Sequence, residues 1–567
     1  MGVRPAIFQS GGQASQHYQP GAFSRINFAR GSSGNVSINN AVIMGKCNGG
    51  EPNILQWFQS ASEAERTLLS GELLDAVKHA FAPGGGLVPA LIAAWRVNPG
   101  TQSTYQYLKT ATAMIIATAR DYGLHTNQLK TKLEAGTGSG KKVTIQFKDN
   151  DPEVWDTVEK ASFQILYSGA VSGAMTITKT QLSTTCDTPA DDLTMLFTTF
   201  TTIEEIVNYI NDQANYTCTL LTSTPSDAST ELDSVSAVDI RTGAYDALSD
   251  LQAIIDVLNE SAWVTAAFNT GASDRDIPDN VAAWAYFTGA VDGAYTSGEW
   301  IAALALLESE DIQMIGASSA DASIHALIKN HCVSMCSVTG KSERQYIVGG
   351  AAGETPAQTV TRSENLASEY GAIAFPGIKH YHFTTGALVT SGPVAYAAKL
   401  IGLFTVLALN EPATNKDVDC LGWEDALTYA ERDLLIKGGV ICGFTNKAGR
   451  RVTVRSVTNH QGTELQKCEF SMMREALFAA RDLRTAVEES FVGKAMSNRL
   501  IAKVDTIVQG KLSGYRDLEI FNGDPPYWGY NKTIIGDVID IEYNCHLTPP
   551  TNFVFITSNM HVYASTS

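Results

Sequence analysis

Apolar positions recur along this chain with two different periods, and the switches between them mark its elements. The most informative stretch is 366–416. Gly371–Phe375 is a short apolar run closed by Pro376 and Gly377, the pattern of a buried strand ending in a turn. The sequence SGPVAYAAKLIGLFTVLALNEPATNK then follows a variable loop. Ser391 reads as an N-cap, Pro393 sits in the first turn, and Pro412 lies just past the end. Between 394 and 409 the only charge is Lys399, so this helix is expected to be buried on most sides. At about 16 residues it is short of the roughly 20 a membrane span requires.

Upstream, 41–44 reads as a strand. Residues 62–82 read as one amphipathic helix, with Leu68, Leu69, Leu73, Leu74 and Val77 at three- and four-residue spacing and a stop at Pro83-Gly84-Gly85-Gly86. An apolar run at 89–97 follows. From about 240, helical patterns at 245–257, 299–307 and 320–330 alternate with apolar runs at 282–286, 312–316 and 346–348. That rhythm predicts a mixed, largely parallel sheet covered by helices. Between these two parts, 129–134 reads as charged and helix-like. Residues 141–232 are dense in Thr, with strand-like pieces at 143–147, 175–180, 193–197 and 216–221, and one helix at 203–214 that places Ile203, Ile206, Val207 and Ile210 on one face.

The C-terminal third opens on a capping box, Thr428 with Glu431, and a helix stopped by Gly438-Gly439. A strand at 440–444, a turn at Gly449-Arg450 and an alternating partner at 451–457 suggest a hairpin. Met473, Ala476, Ala480, Leu483 and Val487 stripe a long helix, with Arg474, Arg481 and Glu488 expected outside, and Leu500, Val504, Val508 and Leu512 stripe another. The cleanest alternation comes next: Ile539, Ile541, Tyr543, Cys545 and Leu547 alternate with Asp540, Glu542, Asn544 and His546, so one face is buried and one wet. Pro549-Pro550 breaks it, and short extended runs at 552–557 and 560–563 have no helix to pack on.

These patterns predict a multidomain α/β and α+β protein: a discontinuous mixed-sheet α/β core, an inserted β-rich domain, a C-terminal α+β domain and extended terminal arms. The expected divisions are 1–20 (arm), 21–130 and 236–419 (core), 141–232 (insertion), 420–548 (C-terminal domain) and 549–567 (arm). A chain of 567 residues accommodates three or four domains of roughly 150 residues each. Charged residues make up 18%, below the about 25% usual for soluble domains, which fits either a large core or a surface covered by other subunits. The net charge of −18 argues against direct binding of nucleic acid or an anionic membrane. Nine cysteines, an odd number at irregular spacing, point to buried reduced thiols rather than a disulfide framework. The segment MGVRPAIFQSGGQ has no apolar signal core, and no apolar run reaches spanning length, so a soluble protein is expected.

Candidate chemistry is thin. AGTGSGKK, 135–142, approaches a phosphate-binding loop, but Lys142 stands where Ser or Thr would bind Mg²⁺ and an alternating strand follows where a helix is needed. A Gly/Ser hinge into the insertion is the competing reading. His331, Cys332 and Cys336 lie at helical spacing but lack a second ligand pair; His380 and His382 lack a third ligand. No catalytic, cofactor-binding or metal residue is assigned. The stronger physical signal is at the ends. Both are extended, partly apolar and cut off by Pro or Gly, and a lone strand with unpaired backbone groups is resolved by adding to another chain's sheet edge. Ile7, Phe8, Phe23, Ile26, Phe553, Phe555 and Val562 are the expected arm residues, and Ile539, Ile541 and Tyr543 mark the expected acceptor sheet.

The 366–416 segment, together with GWEDALTYAERDLLIKGGV, ESFVGK and PGAFSRINF, resembles the tail sheath proteins of contractile bacteriophage tails and related injection machines. The resemblance covers about 367–541 and 20–28. It implies a structural subunit, not an enzyme, that forms a helical lattice around an inner tube and shortens to drive the tube through an envelope. The implied partners are further copies of the chain, the inner tail tube protein, and baseplate and terminator or neck proteins, with no cofactor and no direct contact to nucleic acid or membrane. The implied location is the virion tail, after assembly in the bacterial cytoplasm. Two readings stay open from the residues alone: a soluble nucleotide-binding α/β enzyme with an inserted β domain, and a non-contractile filament or shell protein.

Overall fold

The central sheet is assembled from two distant stretches of chain. In a computed structural model, which describes residues 39–560 and the backbone of 6–10 and 13–17, its eight strands lie in the order 451–453, 440–445, 371–375, 345–349, 314–317, 41–45, 92–96, 55–58. The six inner strands are parallel and the two edge strands antiparallel. Ala41–Gly45, Gln345–Gly349 and Gly371–Phe375 are buried at every position, as strands covered on both faces must be. Helices Glu72–Phe81 and Pro393–Val406 cover one face. Ser297–Leu307, Ala322–Met335 and Pro356–Leu366 cover the other.

Pro393–Val406 is the buried helix the sequence predicts, with 11 of its residues inaccessible. Two glycines let it lie close. A Cβ on Gly402 would stand 1.8 Å from the Ala80 carbonyl oxygen of the neighbouring helix, and one on Gly349 would stand 2.2 Å from the Val394 nitrogen. Its N-cap is Gly392, not Ser391. Ser391 ends a strand paired with Ile378, and its hydroxyl hydrogen-bonds His380 Nε2 (2.8 Å) instead.

Other expectations need correction. The 62–82 helix is two helices, Ala61–Leu68 and Glu72–Phe81, broken where Leu69 and Gly71 take positive φ (60° and 114°). The charged 129–134 segment is a strand, Leu129–Ala135, because Leu129, Thr131 and Leu133 alternate into a core while the lysines stay on the other face. The 245–257 helix is a strand, Tyr245–Leu248, followed by helix Asp250–Glu260.

The glycine-rich loop is not a hinge. Leu129–Ala135 pairs directly with Lys141–Phe147, and the Gly136 N–H donates to Gly140 O (3.0 Å) to close the turn between them. Residues 104–158 and 250–287 therefore share one core, built by two sheets and helix Asp250–Glu260. Inside that lobe a second is nested. Strands 161–167, 173–177, 181–186, 194–196, 216–220, 235–239 and 245–248, with helix Ile203–Asn211, enclose their own core around Phe163, Tyr167, Met175 and Ile206. At the C-terminal end, strands 440–445 and 451–453 complete the central sheet rather than opening a new domain. What lies beyond them is a helical pair, Phe470–Phe491 and Asn498–Asp517, and a two-stranded sheet, Tyr527–Ile535 with Val538–Cys545.

Candidate assembly interface

The terminal sheet and the segment after it form the most unusual surface of the molecule. Val538–Cys545 alternates as expected. Ile539, Ile541, Tyr543 and Cys545 pack against the core made by Phe478, Val504, Val508 and Leu512 of the helical pair, and the intervening residues are exposed. Its only strand partner among the described residues is Tyr527–Ile535, so both outer edges of this ribbon are open. A bulge between Trp528 and Asn531, with Gly529 at φ 64°, faces Tyr543.

Residues 549–560 carry no regular structure. Within them Phe553, Val554, Phe555 and Ile556 are 69%, 74%, 91% and 85% exposed. Four consecutive large apolar side chains held in water are a binding surface in search of cover. A cavity of about 460 Å³ opens between the long helix and the ribbon, lined by Met472, Ala476, Ala479, Phe521, Tyr543 and Leu547 among others.

The roots of both chain ends converge on the start of the long helix. Arg474 is buried and donates to the carbonyls of Phe404 (3.0 Å), Leu407 (3.4 Å) and Ala408 (3.3 Å), capping the central helix, and to Asn39 Oδ1 (2.9 Å). Burial holds its guanidinium down at about 10. The next residue, Glu475, is fully buried and its Oε2 accepts from the Thr548 N–H (3.0 Å). Burial pushes its carboxyl up to about 8. Glu469, also fully buried, accepts from Arg455 Nε (2.7 Å) and from Asn552 Nδ2 (2.9 Å), and Arg455 lies 5.6 Å from the centre of the Phe553 ring. Burial raises the Glu469 carboxyl as well.

The expected arm residues fall as follows. Phe553 and Phe555 are exposed and unpaired with any strand. Ile7 and Phe8 lie in a strand, Ala6–Ser10, that pairs with Gln13–His17 in a local hairpin, so this end is a two-stranded ribbon and not a single extended strand. Phe23, Ile26 and Val562 lie outside the described residues. Ile539, Ile541 and Tyr543 share one strand and turn their side chains toward their own helices. Sequence reading missed Tyr527–Ile535, although Gly536-Asp537 between apolar runs is a two-residue hairpin signal. It also missed Glu469 and Glu475, and it placed Arg474 and Arg481 outside, whereas both are buried because backbone carbonyls of the central body accept from their guanidinium groups.

The chemical candidates are structural. Lys141 donates to Asn280 Oδ1 (2.6 Å) at the edge of its hairpin. His331 Nε2 hydrogen-bonds Arg344 Nη1 (3.0 Å) within a buried cluster, and burial and that guanidinium hold the imidazole down at about 4. Among the described residues no group of three His, Cys, Asp or Glu side chains could hold a metal ion, and no helix is long and apolar enough to cross a membrane. All nine cysteines are free.

The unsatisfied features of this nested, multi-lobed α/β body are sheet edges and an apolar tail, the features of a protein that assembles with others. Residues 293–458 match the family model for the phage tail sheath protein central domain. The tail sheath protein of Bacillus phage SP01 is 25% identical over 572 aligned residues, 95% of each chain. A sheath tail protein from Desulfitobacterium hafniense has the same fold, with a TM-score of 0.51 and 13% identity over 92% of this chain and 98% of that one. One from Listeria innocua gives 0.52 and 11% over 86% and 87%. The chain is thus similar to phage tail sheath proteins along nearly its whole length and shares the fold of solved sheath tail proteins.

Proposed function

We propose that copies of this chain polymerise by strand addition into a helical sleeve around an inner tube, and that the sleeve shortens to drive the tube through a cell envelope. The observation that carries this reading is the open-edged ribbon 527–545 beside four exposed apolar residues, 553–556. An arm from one subunit pairing on the ribbon of the next buries those side chains and satisfies the free backbone groups together. The contact is head-to-tail, and repeated without closing it builds a helix. Arms that stay paired while the bodies rotate keep neighbours connected through a change of lattice. Contraction then follows from intersubunit contacts that are better in the short lattice, each small and summed over many copies. The inner tube, baseplate and terminator proteins are the proposed partners, and the bacterial cytoplasm the proposed site of assembly.

The test is truncation. Removing residues 549–567 should leave a folded monomer that no longer forms tubes by electron microscopy. Regular tubes from the truncated chain would falsify the arm model.

A further inference from the structure

The first turns of the long helix do more than pack. Three ties meet there: Arg474 to Asn39, Glu475 to Thr548 and Glu469 to Asn552. Asn39 is where the chain arrives from the N-terminal segment, and it also donates from Nδ2 to the Thr405 carbonyl (3.1 Å). Thr548 and Asn552 bracket Pro549-Pro550, whose fixed φ angles stiffen the link between the two ties. Thr548 is held further through its hydroxyl, which donates to Glu519 O (2.6 Å). From 553 to 560 the side chains are exposed.

Burying two carboxylates and a guanidinium is costly unless each is partnered, and apolar replacements of similar volume are often as stable. Stability alone therefore does not account for this cluster. The cluster also has spare capacity: Glu469 Oε2, Glu475 Oε1 and Asn552 Oδ1 are buried without a partner. What the cluster does achieve is geometric. It fixes two chain ends, 509 residues apart in sequence at Asn39 and Thr548, to one rigid helix that is itself bonded to the end of the central helix.

We infer that Glu469, Arg474 and Glu475 form an anchor block: positioning residues that set where and in which direction both arms leave the body, and through which pull on either arm reaches the central sheet. This rests on the arm reading of the proposed function. It assigns a role to residues that make no contact with the neighbouring subunit's ribbon in that reading.

The experiment compares full-length variants in two assays: amide exchange at Thr548, and tube formation by electron microscopy. Glu475→Ala removes the acceptor, and Glu475→Gln keeps one. Asn552→Ala and Asn39→Ala remove only the arm-side partners and leave the buried helix intact. Loss of one hydrogen bond should speed Thr548 exchange up to about tenfold in Glu475→Ala. Tubes should then be absent or irregular in pitch in Glu475→Ala and Asn552→Ala, and Glu475→Gln should restore both readouts. If Glu475→Ala does not fold, Asn552→Ala and Asn39→Ala decide the matter alone. Regular tubes from these variants, while truncation of 549–567 abolishes tubes, overturn the anchor and leave the arm reading standing. Regular tubes from the truncation itself overturn the arm reading first.

Discussion

Changing Phe553 and Phe555 together to Asp strikes the tail where its apolar surface is largest. The two rings are 69% and 91% exposed, so the isolated subunit loses almost no packing. A surface change of this kind should move its stability by under about 0.5 kcal/mol. In a strand the two rings lie on one face, and covering them should contribute roughly 1.5–3 kcal/mol each, or about 3–6 kcal/mol per arm. Against this stands the ordering of about five residues at roughly 1–2 kcal/mol each, partly offset by strand hydrogen bonds at about 0.5–1.5 kcal/mol each. Without the rings this leaves a net cost of roughly 2–3 kcal/mol at the middle of these ranges, so the rings decide whether an arm pairs at all. Losing them should weaken each contact by a factor of roughly 10² to 10⁴. Sedimentation velocity over a concentration series reads this directly, with thermal melting as the control for the fold. The expected result is a monomer with unchanged melting. Wild-type polymer at wild-type concentration would refute the reasoning. A companion variant, Val554 and Ile556 to Asp, reports whether the opposite face of the strand is the one covered.

Other consequences can be checked on the same protein. Gly402→Ala forces a methyl group against the Ala80 carbonyl, so urea unfolding should show a loss of about 1–3 kcal/mol or more, with failure to fold as the extreme. Glu475 is pushed up to about 8 by burial, whereas an unfolded Glu titrates near about 4.3. Between these values the folded chain holds a proton the unfolded chain has lost. This group's contribution therefore falls as pH rises through that window. In Glu475→Gln the stability curve should be flatter from pH 5 to 8; an unchanged slope contradicts the assignment. Lys141→Ala should leave melting unaltered, and MgATP should shift neither it nor the parent. An ATP-dependent shift lost in the variant would reopen the enzyme reading.

The sequence carried the inner parts of the fold most clearly. Gly371–Phe375 and Pro393–Val406 are apolar at nearly every position, and burial on all sides leaves no other reading. Val538–Cys545 was equally plain, because one face meets helices and the other water. The failures share a cause. Leu129–Ala135 carries two Lys and a Glu on its exposed face, which mimics a surface helix until its hairpin partner is known. Leu69 and Gly71 break a continuous apolar stripe through backbone angles, which periodicity does not see. Glu469, Arg474 and Glu475 look like ordinary surface charges of a long helix. Only the arrival of Asn39, Thr548 and Asn552 from the far ends of the chain makes them interior. Open edges were legible as a problem at the termini, yet the ribbon that presents them needed its second strand, Tyr527–Ile535, to be recognised.

The interleaved central sheet has a consequence for how the chain is made. Ala41–Gly45 pairs with Met314–Ala317, and the nested lobes are synthesised between them. At roughly 5–20 residues per second, a ribosome takes about 14–55 seconds to deliver the second partner. Throughout that interval the apolar strand Ala41–Gly45, paired on one side with Ile92–Arg96, waits with its other side unpaired while the lobes coded after it are completed. The outer lobes should therefore mature first on the nascent chain, and the oldest strands should be sealed in last. Protease treatment of stalled chains ending near residue 300 would reveal it: the 104–287 region should resist digestion while the strands before it are cut.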